Sequence, residues 1–335
     1  MSIPATHSAI VSTEPGSVDA DSSFVQIERE TPSPTGFDIL VRVNAVSVNP
    51  VDTKVRTSFD ASDGPKILGF DAVGEVVAVG SDAQVYVPGD RVFYAGSIAR
   101  DGSNAEFQLV DERIVGHAPS SLSSADAAAV PLTAITAWES LFVRLGLGKN
   151  STGTLLVMGA AGGTGSMIIQ LARALTSLTV VAAASRGESR DWAVDMGAHH
   201  VVDRHALVDE VGALAPDGVE YVFSPFSEGN VDAYAAVMAV HGQVVAIDDP
   251  VGLDLMPLKA KSQTWHWELM FTVPLSLPES TSQRDILDTV SRMIDEGALR
   301  TTATTTLAPL DVDTLRDAHR RVESGGTIGK VVVAQ

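Results

Sequence analysis

The stretch TLLVMGAAGGTGSMIIQLARAL (154–175) decides the fold class of this chain. Residues 154–158 are apolar and β-branched enough for a buried strand, the turn GAAGGTG (159–165) follows at once, and a helical pattern occupies 164–175. Glycines between a strand and a helix let backbone N–H groups approach a pyrophosphate, which the positive end of the helix attracts. A turn with a merely structural role is the alternative. We predict that this loop binds a dinucleotide through Gly159, Ala160, Gly162, Gly163, Thr164 and Gly165.

Strands and helices alternate around this stretch. Besides 154–158, we predict strands over 178–184, 199–203, 219–223 and 242–248. Between them we predict helices over 164–175, 188–197 and 230–240. This alternation is typical of a parallel, doubly wound sheet of the Rossmann kind.

The rest of the chain has another pattern. We predict strands over 39–48, 73–80 and 85–94 and one helix over 124–146. After about residue 255 the pattern is irregular, with TTATTT (301–306) as an exposed strand or loop. Two further helices and one last strand are predicted over 283–296, 313–323 and 329–335. We therefore predict a β-rich domain over 1–124, a nucleotide-binding domain over 125–260, and a return to the first domain over 261–335.

Composition excludes several classes of protein. The formal net charge is −19, which disfavours nucleic acid or an anionic membrane as a partner. There is no cysteine, so disulfides, thiolate zinc sites and a cysteine nucleophile are excluded. The first residues show no signal peptide, and no apolar stretch is long enough to span a membrane, so we predict a cytoplasmic protein.

The end of the second predicted strand of the sheet indicates the cofactor. NAD-preferring sites usually place an acidic side chain there, against the ribose 2′-OH. This chain has Ser185 and Arg186 instead, which suit a 2′-phosphate, so we predict NADPH. Arg190 and Arg204 could add to the same pocket, or they could be ordinary solvated charges.

Several motifs together resemble the medium-chain dehydrogenase/reductases, in particular the zinc-type alcohol dehydrogenase-like proteins near the quinone oxidoreductases. They are SVNPVDTKVR (47–56), ILGFDAVGEVVAVG (67–80), PGDRV (88–92), PLTAITAWESL (131–141), the glycine loop, SRGESRDWAVDMGA (185–198) and GTIGKVVV (326–333). The resemblance covers nearly the whole chain. It implies a GroES-like catalytic domain beside the Rossmann domain, and a homodimer or tetramer.

The resemblance also implies where a metal would be. Zinc-containing members bind the catalytic zinc at positions that match Asn49, Phe70 and Leu132, and none of these side chains is a good zinc ligand. The structural zinc lobe is replaced by a short segment, YAGSIARDGSNAEF (94–107). We predict that the chain binds no metal.

Without a metal, a suitable acceptor is one whose hydride adduct spreads its own charge, such as a quinone or an α,β-unsaturated carbonyl compound. By resemblance, Asn49 and Asp52 face the nicotinamide and substrate, although Asp52 could simply brace the loop. Lys54 stands where quinone oxidoreductases commonly have Tyr, so it could donate a proton or be a surface residue. Tyr94 is a second candidate donor. Thr136 resembles a family threonine beside the cofactor, with a bond to its own helix as the alternative.

The leading hypothesis is thus an NADPH-dependent quinone or enone reductase that takes a small-molecule substrate. A zinc-independent alcohol or aldehyde dehydrogenase and a low-activity NADPH-binding sensor stay open as alternatives. Residues 265–268 (WHWE) could line the pocket, form an intersubunit contact or pack in the core.

Overall fold

The computed structural model describes residues 3–335, and these form two compact units. Unit 1 runs to Ile135 and resumes over Phe271–Gln335, whereas unit 2 is the continuous stretch Thr136–Met270. The boundaries predicted from the sequence, at 124/125 and 260/261, both precede these changeover points.

Sixteen strands lie within the described residues. They are β1 (Thr6–Ser12), β2 (Val25–Glu30), β3 (Asp38–Val48), β4 (Lys66–Ile67), β5 (Ala72–Val79), β6 (Arg91–Tyr94), β7 (Phe107–Asp111), β8 (Val115–His117), β9 (Thr154–Val157), β10 (Thr179–Ala183), β11 (His200–Val202), β12 (Val219–Ser224), β13 (Met238–Ala246), β14 (Thr264–Trp267), β15 (Ala303–Leu307) and β16 (Lys330–Ala334).

Ten α-helices lie within the same residues. They are α1 (Pro50–Ser58), α2 (Ser124–Ala128), α3 (Pro131–Trp138), α4 (Gly163–Leu175), α5 (Gly187–Asp195), α6 (Leu207–Leu214), α7 (Val231–Val237), α8 (Thr272–Ser276), α9 (Ser282–Asp295) and α10 (Val312–Glu323). No helix of the described chain combines the length and the apolar character needed to cross a bilayer.

Unit 2 is built on a six-stranded sheet in the order β11-β10-β9-β12-β13-β14, and all five pairings are parallel. Counted from β9, this is the order 3-2-1-4-5-6 of a Rossmann fold. Its central strands β9 and β12 are mostly apolar and buried, as expected where helices cover both faces of a parallel sheet. The predicted fold class is confirmed for this unit.

Unit 1 holds two sheets. The smaller has the order β2-β1-β4, and the larger has the order β15-β16-β3-β5-β6-β8, with β7 paired to β3. The last strand, β16, lies between β15 and β3, so residues from both ends of the chain complete this sheet. Its core contains the buried side chains of β3, β5 and β6, with Leu315 and Ala318 of α10 packed against them.

The structure corrects the prediction of one helix over 124–146. That segment forms α2, then α3, and then a π-helical turn over Glu139–Arg144 in which the N–H of Leu145 bonds the carbonyl of Ser140 at 3.0 Å. Pro131 is responsible for the first break, because a proline lacks an N–H and is tolerated only in the first turn of a helix.

Three other boundaries also differ from the sequence prediction. The strand predicted over 85–94 is reduced to β6, because the turn before it contains Pro88 and Gly89, the latter at φ +102°. The helix predicted over 230–240 ends at Val237, where β13 takes over and pairs with β12. The region after residue 255, predicted to be irregular, contains β14 at the edge of the parallel sheet.

Candidate functional site

In unit 1, the junction between β3 and α1 is held by the pair Asn49 and Asp52. Asn49 is the residue before the helix, and Pro50 suits the first helical position because its missing N–H would have had no partner there. The N–H of Asn49 donates to the Asp52 carboxylate at 2.8 Å, as in a capping box. The other carboxylate oxygen of Asp52 accepts from the N–H of Gly69 at 3.0 Å. Asp52 therefore braces two loops, as the alternative interpretation of the sequence allowed.

The side-chain amide of Asn49 is buried and fully hydrogen-bonded. Its Nδ2 donates to the carbonyl of Ser47 and to Oδ2 of Asp71, each at 3.2 Å. Its Oδ1 accepts a hydrogen bond from the Lys330 ammonium. The side chain of Asn49 is only 2% exposed, so its donors are spent inside the protein.

Asp71 and Lys330 complete what we call the Asn49 cluster: Asn49, Asp52, Asp71 and Lys330. The Nζ of Lys330 lies 3.2 Å from Oδ2 of Asp71 and donates to the carbonyl of Val48 at 3.3 Å. Oδ1 of Asp71 accepts from the N–H of Leu132 at 3.1 Å. Asp71 is 0% exposed and Lys330 is 5% exposed, so the cluster is closed to bulk water.

Burial dominates the electrostatics of the cluster. It raises the pKa of Asp52 to about 7, against the opposing hydrogen bond from Asn49 and the charge of Lys330. It raises the pKa of Asp71 to about 6, again against Lys330. Burial likewise lowers the pKa of Lys330, while Asp71 opposes that change. Charged forms are disfavoured here because the site has little solvent to stabilise them.

Asp71 and Lys330 were not predicted to be site residues from the sequence. The available signal was a charged residue inside an apolar run, namely FDAV (70–73) and GKVVV (329–333). Acidic and basic residues are almost never fully buried unless they are paired, so two such residues in strand-like runs predict a buried ion pair.

The positions that match the family's zinc ligands do not fit a metal. The Asn49 amide is already engaged, Phe70 packs its ring against Phe271 at 5.5 Å, and Leu132 offers a hydrocarbon side chain. Over residues 3–335, no three His, Cys, Asp or Glu side chains come together in a way that could hold a metal ion. The side chains at these three positions therefore do not suit a zinc ion.

The two predicted proton donors have contrasting surroundings. Lys54 lies on the exposed face of α1. Tyr94 is 1% exposed and packs in the core of unit 1, and its hydroxyl has no hydrogen-bond partner among the described protein groups. Burial raises the pKa of the Tyr94 phenol.

In unit 2, the glycine loop has the geometry of a nucleotide-binding turn. Gly159 has φ +63°, a conformation that glycine adopts without strain. A Cβ on Gly165 would lie 2.3 Å from the carbonyl oxygen of Gly159, so only a hydrogen atom fits there. Gly162, Gly163 and Thr164 are partly exposed where α4 begins. The N–H of Gly162 donates to the Gly159 carbonyl at 3.0 Å, so the N–H groups of Gly163 and Thr164, in the first turn of α4, are the ones placed to bind an anion. Ala160 is buried beneath the loop.

This loop lies at the point where the strand order reverses. The N–H of Met158, directly after β9, donates to the carbonyl of Phe223 in β12 at 2.9 Å. Pro225, in the turn after β12, lies beside Gly159. In open α/β sheets, ligands bind in the crevice outside the carboxyl ends of the strands at such a point. The residues present therefore fit a dinucleotide.

The four residues predicted to select the cofactor have different surroundings. Ser185 and Arg186 follow β10, with Arg186 exposed at the start of α5. Arg190 donates from its guanidinium to the carbonyls of Ala184 and Val201 at 3.1 and 3.0 Å, which ties the ends of two strands together. Arg204 is exposed beside His205, with its Nε 3.2 Å from the imidazole.

Two remaining predictions also concern unit 2. Thr136 is buried in α3, 5% exposed. The segment 265–268 divides its side chains: Trp265 packs against the core, His266 bonds Gln243 at 2.9 Å, and Trp267 is 48% exposed. Glu268 is buried and accepts from Arg144 at 3.0 Å.

Two family models match the chain. The alcohol dehydrogenase GroES-like domain matches residues 35–125, and the zinc-binding dehydrogenase model matches residues 196–333. Among curated relatives, a zinc-type alcohol dehydrogenase-like protein of Staphylococcus epidermidis is 36% identical over 94% of this chain and 96% of its own. The 2-methylene-furan-3-one reductase of Solanum lycopersicum is 30% identical over 99% of this chain and 80% of its own.

Solved structures are also similar to this chain over nearly its whole length. A putative zinc-dependent alcohol dehydrogenase of Rhizobium etli is 47% identical, with a TM-score of 0.94 over 98% of both chains. A mycobacterial protein solved with NADPH is 27% identical, with a TM-score of 0.83 over 98% of this chain and 100% of its own.

Proposed function

We propose a function from one premise: the chain belongs to the medium-chain dehydrogenase/reductase family, in its zinc-type alcohol dehydrogenase-like branch, and is therefore an oxidoreductase. Within that family, we propose that it reduces quinones or other α,β-unsaturated carbonyl compounds with NADPH. The observation that carries the proposal is that the family's metal positions are filled by Asn49, Phe70 and Leu132, while the glycine loop is intact.

The cofactor would be held by unit 2. The N–H groups of Gly163 and Thr164 at the start of α4 would bind the pyrophosphate, and Gly162 and Gly165 permit the close approach. Bound NADPH supplies a hydride to the substrate. Ser185 and Arg186 favour the phosphorylated ribose because a hydroxyl and a guanidinium bind phosphate, and no acidic side chain follows β10 directly.

Substrate choice follows from the missing metal ligands. A simple ketone needs strong polarisation of its oxygen, which a zinc ion normally provides. Quinones and enones instead delocalise the charge that they receive, so hydrogen-bond donors suffice to stabilise the product anion. The reductase of Solanum lycopersicum and the NADPH complex of the mycobacterial protein support this direction.

Steady-state kinetics test the proposal. We expect oxidation of NADPH with 1,4-benzoquinone, 9,10-phenanthrenequinone or a simple alkenal, with kcat/KM for NADPH above that for NADH. Arg186→Ala should reduce this preference, whereas Arg292→Ala serves as the matched control, since Arg292 is a similarly exposed arginine on α9 of unit 1 with no predicted role in cofactor binding. No NADPH oxidation with any of these acceptors would reject the proposal.

A further inference from the structure

We propose that Lys330 is a positioning residue of the active site: it fixes the orientation of the Asn49 amide and supplies a buried positive charge where zinc-containing members of the family hold a metal. The inference rests on contacts within unit 1. Neither Lys330 nor its partner Asp71 carries a role in the function proposed above.

The ammonium of Lys330 has three acceptors for its three hydrogens. They are Oδ1 of Asn49, the carbonyl of Val48 and Oδ2 of Asp71. A lysine ammonium carries three donors and no acceptor, so this set uses its whole hydrogen-bonding capacity. A buried lysine with all its donors used is held in one place.

The same contacts permit only one orientation of the Asn49 amide. Its oxygen faces the Lys330 ammonium, and its nitrogen faces the Ser47 carbonyl and the Asp71 carboxylate. Rotating the amide by half a turn would place NH2 against the ammonium and oxygen against two acceptors. Each buried donor or acceptor left unsatisfied keeps the cost of its lost hydration without a compensating bond, so the rotated form is strongly disfavoured.

Lys330 also balances charge. Two carboxylates, Asp52 and Asp71, are buried within this cluster, and the ammonium is the cation that acts on both. Asp71, which the ammonium contacts, also accepts from the N–H of Leu132 in the first turn of α3. Asn49, which the ammonium also contacts, is bonded to Asp52 at the start of α1. Lys330 thus connects β16, the end of β3 and the beginnings of two helices.

Hydrogen exchange at the Asn49 side chain tests the positioning role without any reliance on activity. The chain has only five asparagines, so selective ¹⁵N labelling of Asn gives five side-chain amide pairs, and Asn49→Asp identifies the relevant one. We expect the Asn49 pair to be strongly protected in the wild type and to exchange at least about tenfold faster in Lys330→Met. Lys330→Arg, which keeps the charge and the donors, should retain most of the protection.

A second variant covers the case in which Lys330→Met does not fold. Asp71→Asn/Lys330→Met removes both charges, so we expect it to fold with an unfolding midpoint above that of either single variant while the Asn49 pair still loses protection. Unchanged protection of the Asn49 pair in Lys330→Met, or in the double variant, would overturn the proposal.

Steady-state kinetics provide a second test of the role of Lys330, and this test rests on the proposed function. In Lys330→Met or the double variant, kcat for the quinone should fall about tenfold while the dissociation constant of NADPH stays within about twofold, because the glycine loop is in unit 2. An equal loss of kcat and of NADPH affinity would show a merely structural role for Lys330 and would contradict the proposal. If the wild type reduces none of the acceptors, the proposed function fails, and the exchange measurement alone decides the role of Lys330.

Discussion

Asp52 accepts hydrogen bonds from two backbone N–H groups and yet has a raised pKa, because these bonds and the charge of Lys330 do not offset the loss of water. The folded state therefore binds the Asp52 proton more tightly than the unfolded chain does. Stability contributed in this way is fully present below the unfolded pKa near 3.8 and is lost as the pH rises through about 7.

We expect Asp52→Asn to remove this part of the pH dependence. Between pH 4 and pH 8 the free energy of unfolding of the wild type should decline relative to that of the variant by on the order of 2–4 kcal/mol. Urea unfolding of both proteins across this range measures the difference. Two parallel curves would show that Asp52 keeps an ordinary pKa in the folded protein.

Tyr94 presents the opposite situation, a buried hydroxyl without a partner among the described groups. Tyr94→Phe removes a polar group that pays a desolvation cost, so we expect the free energy of unfolding to rise by about 1 kcal/mol. Chemical denaturation measures this change, and quinone turnover is followed in parallel. A large fall in kcat with unchanged folding would instead assign the proton donor to Tyr94.

At the scale of elements, the glycine loop between β9 and α4 gives a sharp test of cofactor binding. In Gly165→Ala the new methyl group would meet the Gly159 carbonyl at 2.3 Å and the Ala160 Cα at 2.8 Å, so the loop has to move. We expect the dissociation constant of NADPH, measured by fluorescence, to rise at least about tenfold.

The matched control is Gly212→Ala in α6, where a Cβ meets nothing within 4 Å. This substitution should leave NADPH binding unchanged and stabilise the helix by about 0.5–1 kcal/mol. Equal NADPH affinity in both variants would contradict the assigned role of the loop.

Helices α1 and α10 of unit 1 are joined by a charged pair. Arg56 is fully buried, and its guanidinium bonds the Glu323 carboxylate. In Glu323→Ala this buried guanidinium loses its bonded carboxylate, so we expect the free energy of unfolding to fall by about 2 kcal/mol. Asp317→Ala breaks an exposed pair with Arg321 on the same helix and should cost no more than about 0.5 kcal/mol. Denaturant titrations measure both changes, and equal losses of unfolding free energy in the two variants would show that burial of Arg56 does not strengthen its pair with Glu323.

Elements with a local signal could be predicted from the sequence. Strands β9, β10 and β12 and the edge strand β11 lie within one residue of their predicted bounds, because each contains apolar or β-branched residues between turn residues. Within 124–146, the break at Pro131 has a local signal in the proline itself, whereas the π-helical turn over Glu139–Arg144 has none in the sequence pattern. β14 was missed because an edge strand, with Trp267 exposed, lacks the apolar run of a central one.

The candidate site shows the same division. The glycine loop is local in sequence and was predicted, and the bracing role of Asp52 was the alternative to its predicted place beside the nicotinamide. The pair of Asp71 and Lys330 joins residues far apart in the chain, so only the fold brings them together. Arg190 was predicted to be a cofactor residue, yet its guanidinium donates to two strand carbonyls, a contact that no sequence pattern shows.

For the whole molecule, the family resemblance predicts self-association, with a homodimer as the expected form. Sedimentation equilibrium should then give a mass of twice 35.1 kDa or a higher multiple. A single species at 35.1 kDa would contradict this expectation.

The placement of β16 between β15 and β3 has a consequence for how the protein is made. The ribosome releases residues 330–334 long after β3, so the larger sheet of unit 1 stays open at β3 during most of synthesis. Unit 2 is contiguous in the chain and is synthesised before these residues, so it can collapse on its own first. A nascent chain arrested before Lys330 should accordingly present a protease-resistant unit 2 and a susceptible β3.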